Sequence, residues 1–175
     1  MVLPNRFTHL RDYSAAISLC GKYRYWLRRD INLMVDKPCV FIMLNPSTAD
    51  ATQDDPTIRR CIGYAKAWDC SELIVVNLFA LRSTNPKTLW AEDTIDPIGP
   101  DNDDAIMTAA DIAHNGLIIC AWGGHGSYMD RGDQVIGMIE HLEPHYLDLT
   151  KHGLPKHPLY LSGDLKPIPY SHHRR

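Results

Sequence analysis

The chain has neither a long run of apolar residues nor an excess of positive charge. Within its 175 residues, no apolar stretch approaches the roughly 20 residues that a membrane helix needs. Residues 1–10 have no apolar core of the kind found in a signal peptide. We therefore expect a cytoplasmic protein without a membrane partner. The net charge of −3 argues against a domain that binds long duplexes mainly by charge, although it leaves room for a local basic patch.

The cysteines are few and lack the spacing of metal or disulfide sites. The chain has five of them and no C-x-x-C pair. Cys39 and Cys120 fall in apolar segments, which predicts buried thiols rather than disulfides or zinc ligands. A G-x-G-x-x-G fingerprint is also missing, because Gly123-Gly124-His125-Gly126 does not match it. We expect no metal and no cofactor.

The composition is typical of a soluble globular protein. Hydrophobic residues make up 45% of the chain and charged residues 22%. The sequence has no internal repeat and no linker, and its length is enough for one domain with a sizeable core. We predict a single domain over 1–175, with an N-terminal hairpin at 14–30, a core at 38–150 and a C-terminal loop tail at 150–175.

Apolar strands alternate with amphipathic helices along the core. The patterns predict strands at 39–44, 73–76, 117–122 and 146–149, and helices that begin at Pro56, at 101–113 and near 130–142. Asp55 is predicted to cap the first of these helices, with Pro56 at its first position. Such alternation predicts an α/β fold in which helices cover both faces of a mostly parallel four-stranded sheet.

Polar residues follow the first predicted strand directly, in the segment Asn45-Pro46-Ser47-Thr48-Ala49-Asp50. Pro46 ends the strand because it has no N–H to donate. In open α/β sheets, ligands bind at the carboxyl ends of the strands. The Asn45 amide can orient a water molecule, and the Ser47 and Thr48 hydroxyls can bind a phosphate or carboxylate. Asp50 has no capping duty and is our candidate general base.

The later strand ends carry further candidates. Asn77 closes the second strand with a donor and an acceptor that suit the edge of a nucleobase, although a loop-stabilising role is also open. Gly123 permits close approach of the backbone beside His125. His157 follows the fourth strand, and Pro158 fixes its backbone. We predict that Asn45, Asn77, His125 and His157 line one crevice.

The segment before the core is the most basic part of the chain. Lys22, Arg24, Arg28 and Arg29 alternate with aromatic residues. The pattern is compatible with a nucleic-acid surface, and a solvated edge hairpin is the simpler interpretation.

Long motifs in this chain resemble those of an uncharacterised family of bacteria and their phages, domain-of-unknown-function family 1643. The shared motifs are LNPSTAD, DDPTIRRC, VVNLFALR, DPIGPDND, AWGGHG and TKHGLPKHPLYL. They span about residues 14–165.

The order of motifs also resembles the uracil-DNA glycosylase superfamily, whose fold is a small parallel sheet between helices. Leu44-Asn45-Pro46-Ser47 is similar to its first motif, which implies that Asn45 positions the attacking water and that the fold is a three-layer αβα sandwich. Asn77 is similar to its base-reading residue. The segment beginning at His157 is similar to its last motif, which implies that His157 bonds the leaving base and that Leu159 acts as a wedge.

Three hypotheses follow from these observations. The first is a uracil-DNA glycosylase-like enzyme that hydrolyses the N-glycosidic bond of a modified nucleobase in DNA or a nucleotide. A modified base is expected rather than uracil, because Asn45 stands where the most active branch of that superfamily has a carboxylate. The second is a non-catalytic nucleotide- or nucleic-acid-binding protein on the same fold. The third is a phosphate-handling or metal-dependent hydrolase.

Overall fold

The computed structural model describes residues 14–47, 49, 52–91 and 95–170. Within these residues, seven strands form one mixed sheet. They are β1 (Ala15–Ile17), β2 (Arg24–Asp30), β3 (Cys39–Met43), β4 (Glu72–Asn77), β5 (Leu117–Cys120), β6 (His145–Tyr146) and β7 (Ile168–Pro169). Three α-helices accompany them within these residues: α1 (Pro56–Ala67), α2 (Asn102–Ile112) and α3 (Arg131–Ile139).

The centre of the sheet is parallel and its two ends are antiparallel. The spatial order is β1-β2-β4-β3-β5-β6-β7. Strand β3 pairs in parallel with β4 on one side and β5 on the other, and β5 pairs in parallel with β6. Strands β1, β2 and β7 are antiparallel to their neighbours. The predicted α/β class is confirmed, but the predicted four-stranded sheet is extended at both ends because segments outside the strand–helix alternation also pair with it.

Two apolar cores lie on opposite faces of the sheet, as the alternation of side chains along a strand requires. Val40 and Ile42 of β3 belong to one core, which contains buried residues of α2 and α3. Phe41 and Met43 belong to the other, which contains the buried face of α1. Helices therefore pack against both faces.

Helix α1 begins as its sequence predicts. The Asp55 carboxylate accepts a hydrogen bond from the Ile58 N–H at 2.8 Å, which makes Asp55 the N-cap, and Pro56 occupies the first turn. The cap satisfies one of the backbone donors that a helix start leaves open. This fixes the first turn of α1 at the edge of the sheet where β3 ends.

The basic segment at residues 22–29 is not the solvated edge hairpin that the sequence predicted. The hairpin is present, but its second strand, β2, pairs with β4 inside the sheet rather than forming a solvated edge. Arg24 is only 2% exposed. Arg28 forms ion pairs with Glu72 and Asp30, and Arg29 forms one with Asp54. These contacts remove most of the expected basic surface.

The C-terminal part also differs in detail. Strand β6 covers His145–Tyr146, shorter than and shifted from the predicted 146–149. The segment expected to be a loop tail contains a 3-10 helix at Pro158–Tyr160 and strand β7, which pairs with β6. Short elements of this kind lack the several periods that make a sequence pattern recognisable. None of the described helices is long and apolar enough to cross a membrane.

Candidate functional site

A cleft of about 500 Å³ opens at the carboxyl ends of β3, β4 and β5. The chain passes from β3 to β4 on one side and then to β5 on the other, so the cleft lies where the strand order reverses. That position is where open α/β sheets bind their ligands. The cleft is lined by Arg24, Met43, Leu44, Asn45, Ser47, Asp55, Thr57, Ile58, Val75, Asn77, Ser83, Thr84, Pro86, Trp122, Gly123, Gly124, His125, His157 and Tyr160.

The structure brings most of the predicted site residues together. Those that line the cleft are Asn45, Ser47, Asn77, Gly123, His125 and His157. Pro46 is buried and is not among the lining residues, and Leu159 lines a different hollow. Thr48 and Asp50 lie outside the described residues. The wedge role expected of Leu159 therefore has no support from its position.

Asn77 is the most unusual polar residue of the cleft. It ends β4 and is only 1% exposed. Its side-chain nitrogen is buried and has no hydrogen-bond partner among the described residues. A buried amide without a partner costs on the order of 1–3 kcal/mol. A ligand in the cleft that accepts a hydrogen bond would satisfy this group.

Asn45 is tied to a neighbouring loop. Its side-chain nitrogen donates to the carbonyl oxygen of Ser83 at 2.8 Å and to that of Pro46 at 3.2 Å. These bonds hold the loop after β3 against the loop after β4. The donor is thus already used, so any water that Asn45 positions must donate to its side-chain oxygen.

His157 is held by the 3-10 helix that it begins. Its Nδ1 accepts a long hydrogen bond of 3.4 Å from the N–H of Leu159. An accepting Nδ1 leaves the proton of the neutral ring on Nε2. Burial lowers the pKa of His157 from its ordinary value, partly opposed by the negative charge of Asp55. The cleft therefore holds a neutral imidazole that can donate from Nε2.

The glycine-rich loop after β5 forms another part of the cleft wall. Gly123 has φ of 77°, a conformation that side chains other than glycine rarely adopt. A Cβ there would lie 3.6 Å from the Cβ of His157, so the loop and the His157 segment are in close contact. His125 is exposed, and its ring centroid lies 5.0 Å from that of Trp90. It belongs to the rim rather than the floor.

Asp55, for which the sequence favours a capping role, also lines the cleft. One oxygen caps α1, while the other accepts a hydrogen bond from the Ser47 hydroxyl. Among the described residues that line the cleft, Asp55 is the one carboxylate. Its dual use could not be seen in the sequence, because the capping pattern accounts for the residue without the loop that folds back onto it.

Arg24 is the second residue whose place was missed. It begins β2 and lies buried beside the cleft, where its Nη1 donates to the carbonyl oxygen of Ala49 at 2.7 Å. The aromatic residues Tyr23, Tyr25 and Trp26 that flank Arg24 in the sequence are the signal that could have indicated its burial. Its guanidinium fastens the loop after β3, on which the predicted site residues lie.

The described residues contain no cluster of histidine, cysteine, aspartate and glutamate that could hold a metal ion. Within the same residues, Cys39, Cys61, Cys70 and Cys120 are buried free thiols, and Cys20 is exposed. Burial raises the pKa of the Cys61 and Cys120 thiols, as it does for groups whose charged form loses hydration.

The family model for a protein of unknown function, DUF1643, matches residues 24–159. The chain belongs to this family. The matched range begins at Arg24 and ends at Leu159, so it contains nearly all of the residues that line the cleft. No curated protein and no solved structure matches the chain.

Proposed function

We propose that this member of the DUF1643 family hydrolyses the N-glycosidic bond of a modified nucleobase, in DNA or a nucleotide, in the manner of the uracil-DNA glycosylase superfamily. One observation carries the proposal. The side-chain nitrogen of Asn77, which has no hydrogen-bond partner among the described residues, lies in the same cleft as the imidazole of His157.

The sheet supports this proposal. Its parallel strands stand in the order β4-β3-β5-β6, with the first of them in the chain at the centre and helices against both faces. That arrangement is compatible with the three-layer sandwich expected from the resemblance. The cleft volume of about 500 Å³ lies within the range of small-molecule sites.

Asn77 is proposed to recognise the base. Its amide offers a donor and an acceptor side by side, which matches a base edge that presents a carbonyl next to an N–H. The donor has no protein partner to give up among the described residues. A base carbonyl would therefore accept a hydrogen bond from Asn77 at a position shielded from water. A buried donor of this kind discriminates strongly between bases that can accept its hydrogen bond and bases that cannot.

His157 is proposed to stabilise the departing base. When the bond between the base and C1′ breaks, its electron pair leaves with the base, and negative charge develops on a ring carbonyl. A neutral imidazole that donates from Nε2 stabilises that charge without requiring prior protonation. The lowered pKa of His157 keeps the ring in this form near neutral pH.

The attacking water is proposed to lie between Asn45 and a carboxylate. The side-chain oxygen of Asn45 accepts a hydrogen bond from the water, and the water oxygen attacks C1′ and keeps that proton as the new C1′ hydroxyl. The other proton passes to a carboxylate and finally to the departing base. Asp50 was the base predicted from the sequence, and Asp55 is the carboxylate described in the cleft.

The direct test is chromatography for free bases released from a panel of substrates. The panel contains uracil and oxidised, deaminated and hypermodified pyrimidines, each in duplex, single-stranded and mononucleotide form. We expect release from at least one modified base. The variants Asn45→Ala and His157→Ala should each lower the rate about 100- to 1000-fold. His114→Ala is the matched control, because His114 is exposed near the start of β5, at the opposite edge of the sheet.

A binding protein without catalysis is the second candidate. The engagement of the Asn45 donor by Ser83 favours it, because this bond gives Asn45 a structural duty. Tight binding of a base or nucleotide with no product across the whole panel would support this candidate and contradict the enzyme proposal.

A further inference from the structure

A second hollow, of about 440 Å³, lies beside the cleft. Its lining consists of Pro56, Arg59, Arg60, Gly63, Tyr64, Leu159 and Gly163. Two of these residues are arginines, and no acidic residue is among them. We call it the arginine hollow.

The cleft and the arginine hollow share one ridge. At the start of α1, the N-cap Asp55 and Ile58 line the cleft, whereas Arg59 and Arg60 line the arginine hollow. Residues of the 3-10 helix also face both cavities, since Tyr160 lines the cleft and its neighbour Leu159 lines the arginine hollow. A ligand that fills the cleft and extends across this ridge reaches the arginines.

Arg60 is available to such a ligand. It forms no hydrogen bond or ion pair with another of the described residues. Its Nη1 lies close to Gly163, because a Cβ added there would lie 3.3 Å away. Arg59 donates one bond to the carbonyl oxygen of Asp54. A guanidinium with unused donors in a hollow of this size suits a phosphate.

Tyr160 stands on the ridge with its ring in solvent. It is 87% exposed, although large aromatic side chains are usually at least half buried. Its ring centroid lies 6.3 Å from that of His157, at the mouth of the cleft. An exposed aromatic ring next to a base site is a platform on which a second base stacks.

We propose that the protein takes its base from a single strand of nucleic acid rather than from a free nucleotide. A strand phosphate lies in the arginine hollow on Arg60, and a neighbouring base stacks on Tyr160. This inference rests on the proposed function, because it assumes that the cleft holds a base.

The test is fluorescence anisotropy with a labelled, mixed-sequence single-stranded oligodeoxynucleotide at several salt concentrations. Arg60→Gln should weaken binding about tenfold and reduce the slope of log K against log salt by about 0.7. Lys66→Gln is the matched control, because it removes the same charge from the exposed last turn of the same helix. It should change neither quantity. Circular dichroism checks that both variants fold.

Tyr160 gives a second, independent readout. Tyr160→Ala should weaken binding of the oligodeoxynucleotide about tenfold, whereas Tyr160→Phe keeps the ring and should bind like the unaltered protein. Equal effects of Arg60→Gln and Lys66→Gln, or no binding of the oligodeoxynucleotide at low salt, would overturn the inference. Base release from mononucleotides alone would also overturn it while leaving the proposed function intact. Binding that depends on Arg60 without any base release would instead count against the proposed function only.

Discussion

Replacement of two buried asparagines, Asn77 at the end of β4 and Asn102 at the start of α2, should change stability in opposite directions. Asn77 has a side-chain nitrogen without a partner among the described residues. The side-chain nitrogen of Asn102 donates to the carbonyl oxygens of Asn77 and Leu78 at 3.0 and 2.9 Å. Both residues are almost completely buried. Replacing each with leucine, which has a similar shape, separates a residue kept for a ligand from one kept for the fold.

We expect Asn77→Leu to stabilise the protein. It removes an unsatisfied buried donor, which costs on the order of 1–3 kcal/mol in the folded state. In a chain of this size, each kcal/mol moves Tm by about 2–4 °C. Tm should therefore rise by a few degrees, while binding or release of the base is lost.

We expect Asn102→Leu to destabilise the protein. The carbonyl of Asn77 loses its side-chain partner, whereas that of Leu78 keeps the bond from Arg131 at 3.0 Å. The substitution also removes the buried side-chain oxygen of Asn102, which has no partner among the described residues, and this offsets part of the cost. We expect a net loss of about 1 kcal/mol and a lower Tm.

The assay is thermal unfolding followed by circular dichroism, together with the base-release panel. A fall in Tm for Asn77→Leu as large as that for Asn102→Leu would refute the reasoning, because it would show that Asn77 has a structural partner. The conservative variant Asn77→Asp keeps the shape but replaces the donor, and it should change which base is preferred.

Three further predictions concern the surroundings of the cleft. Burial lowers the pKa of His157, so the ring stays neutral in the fold while the unfolded chain takes up a proton below about pH 6.5. Stability should therefore fall on acidification through that range, and His157→Gln should flatten this part of a Tm–pH profile; an unchanged profile would contradict it. Gly126→Ala places a Cβ 1.9 Å from a buried tryptophan ring, whereas a Cβ at Gly124 meets nothing within 4 Å. The first variant should lose about 1–3 kcal/mol by denaturant titration and the second almost nothing; equal losses would contradict the packing. Arg131 is 2% exposed and pairs with Asp103, whose side chain is 57% exposed. Arg131→Met should cost about 2–4 kcal/mol and Asp103→Asn less than about 1 kcal/mol, since only the first removes the buried partner of a backbone carbonyl; the reverse order in urea unfolding would contradict this.

The central strands could be predicted because each is a continuous apolar run followed by a polar residue. That pattern fixes both the parallel sheet and the edge at which Asn45, Asn77 and His157 meet. The position of β2 between β1 and β4 could not be predicted, because an antiparallel strand at that place leaves no signal in the strand–helix alternation.

The site could be predicted only in part, for a related reason. Asn77 stands out as an amide after apolar residues, but the contacts of Asp55 and Arg24 depend on where the loop after β3 folds. Arg60 lies on α1 and Tyr160 on the 3-10 helix, and these two elements pack against each other although about one hundred residues separate them in the chain. Local sequence patterns carry no information on such pairings.

The residues that line the cleft are far apart in the chain. Arg24 lies on β2 near the start of the described residues, and His157 and Tyr160 follow β6. The segments that form β2, β3, β4 and β5 all precede residue 157 in the order of synthesis. The imidazole proposed to stabilise the leaving base and the ring proposed to stack on its neighbour are thus added last. Until they are made, the cleft lacks the part of its wall that completes the proposed base site.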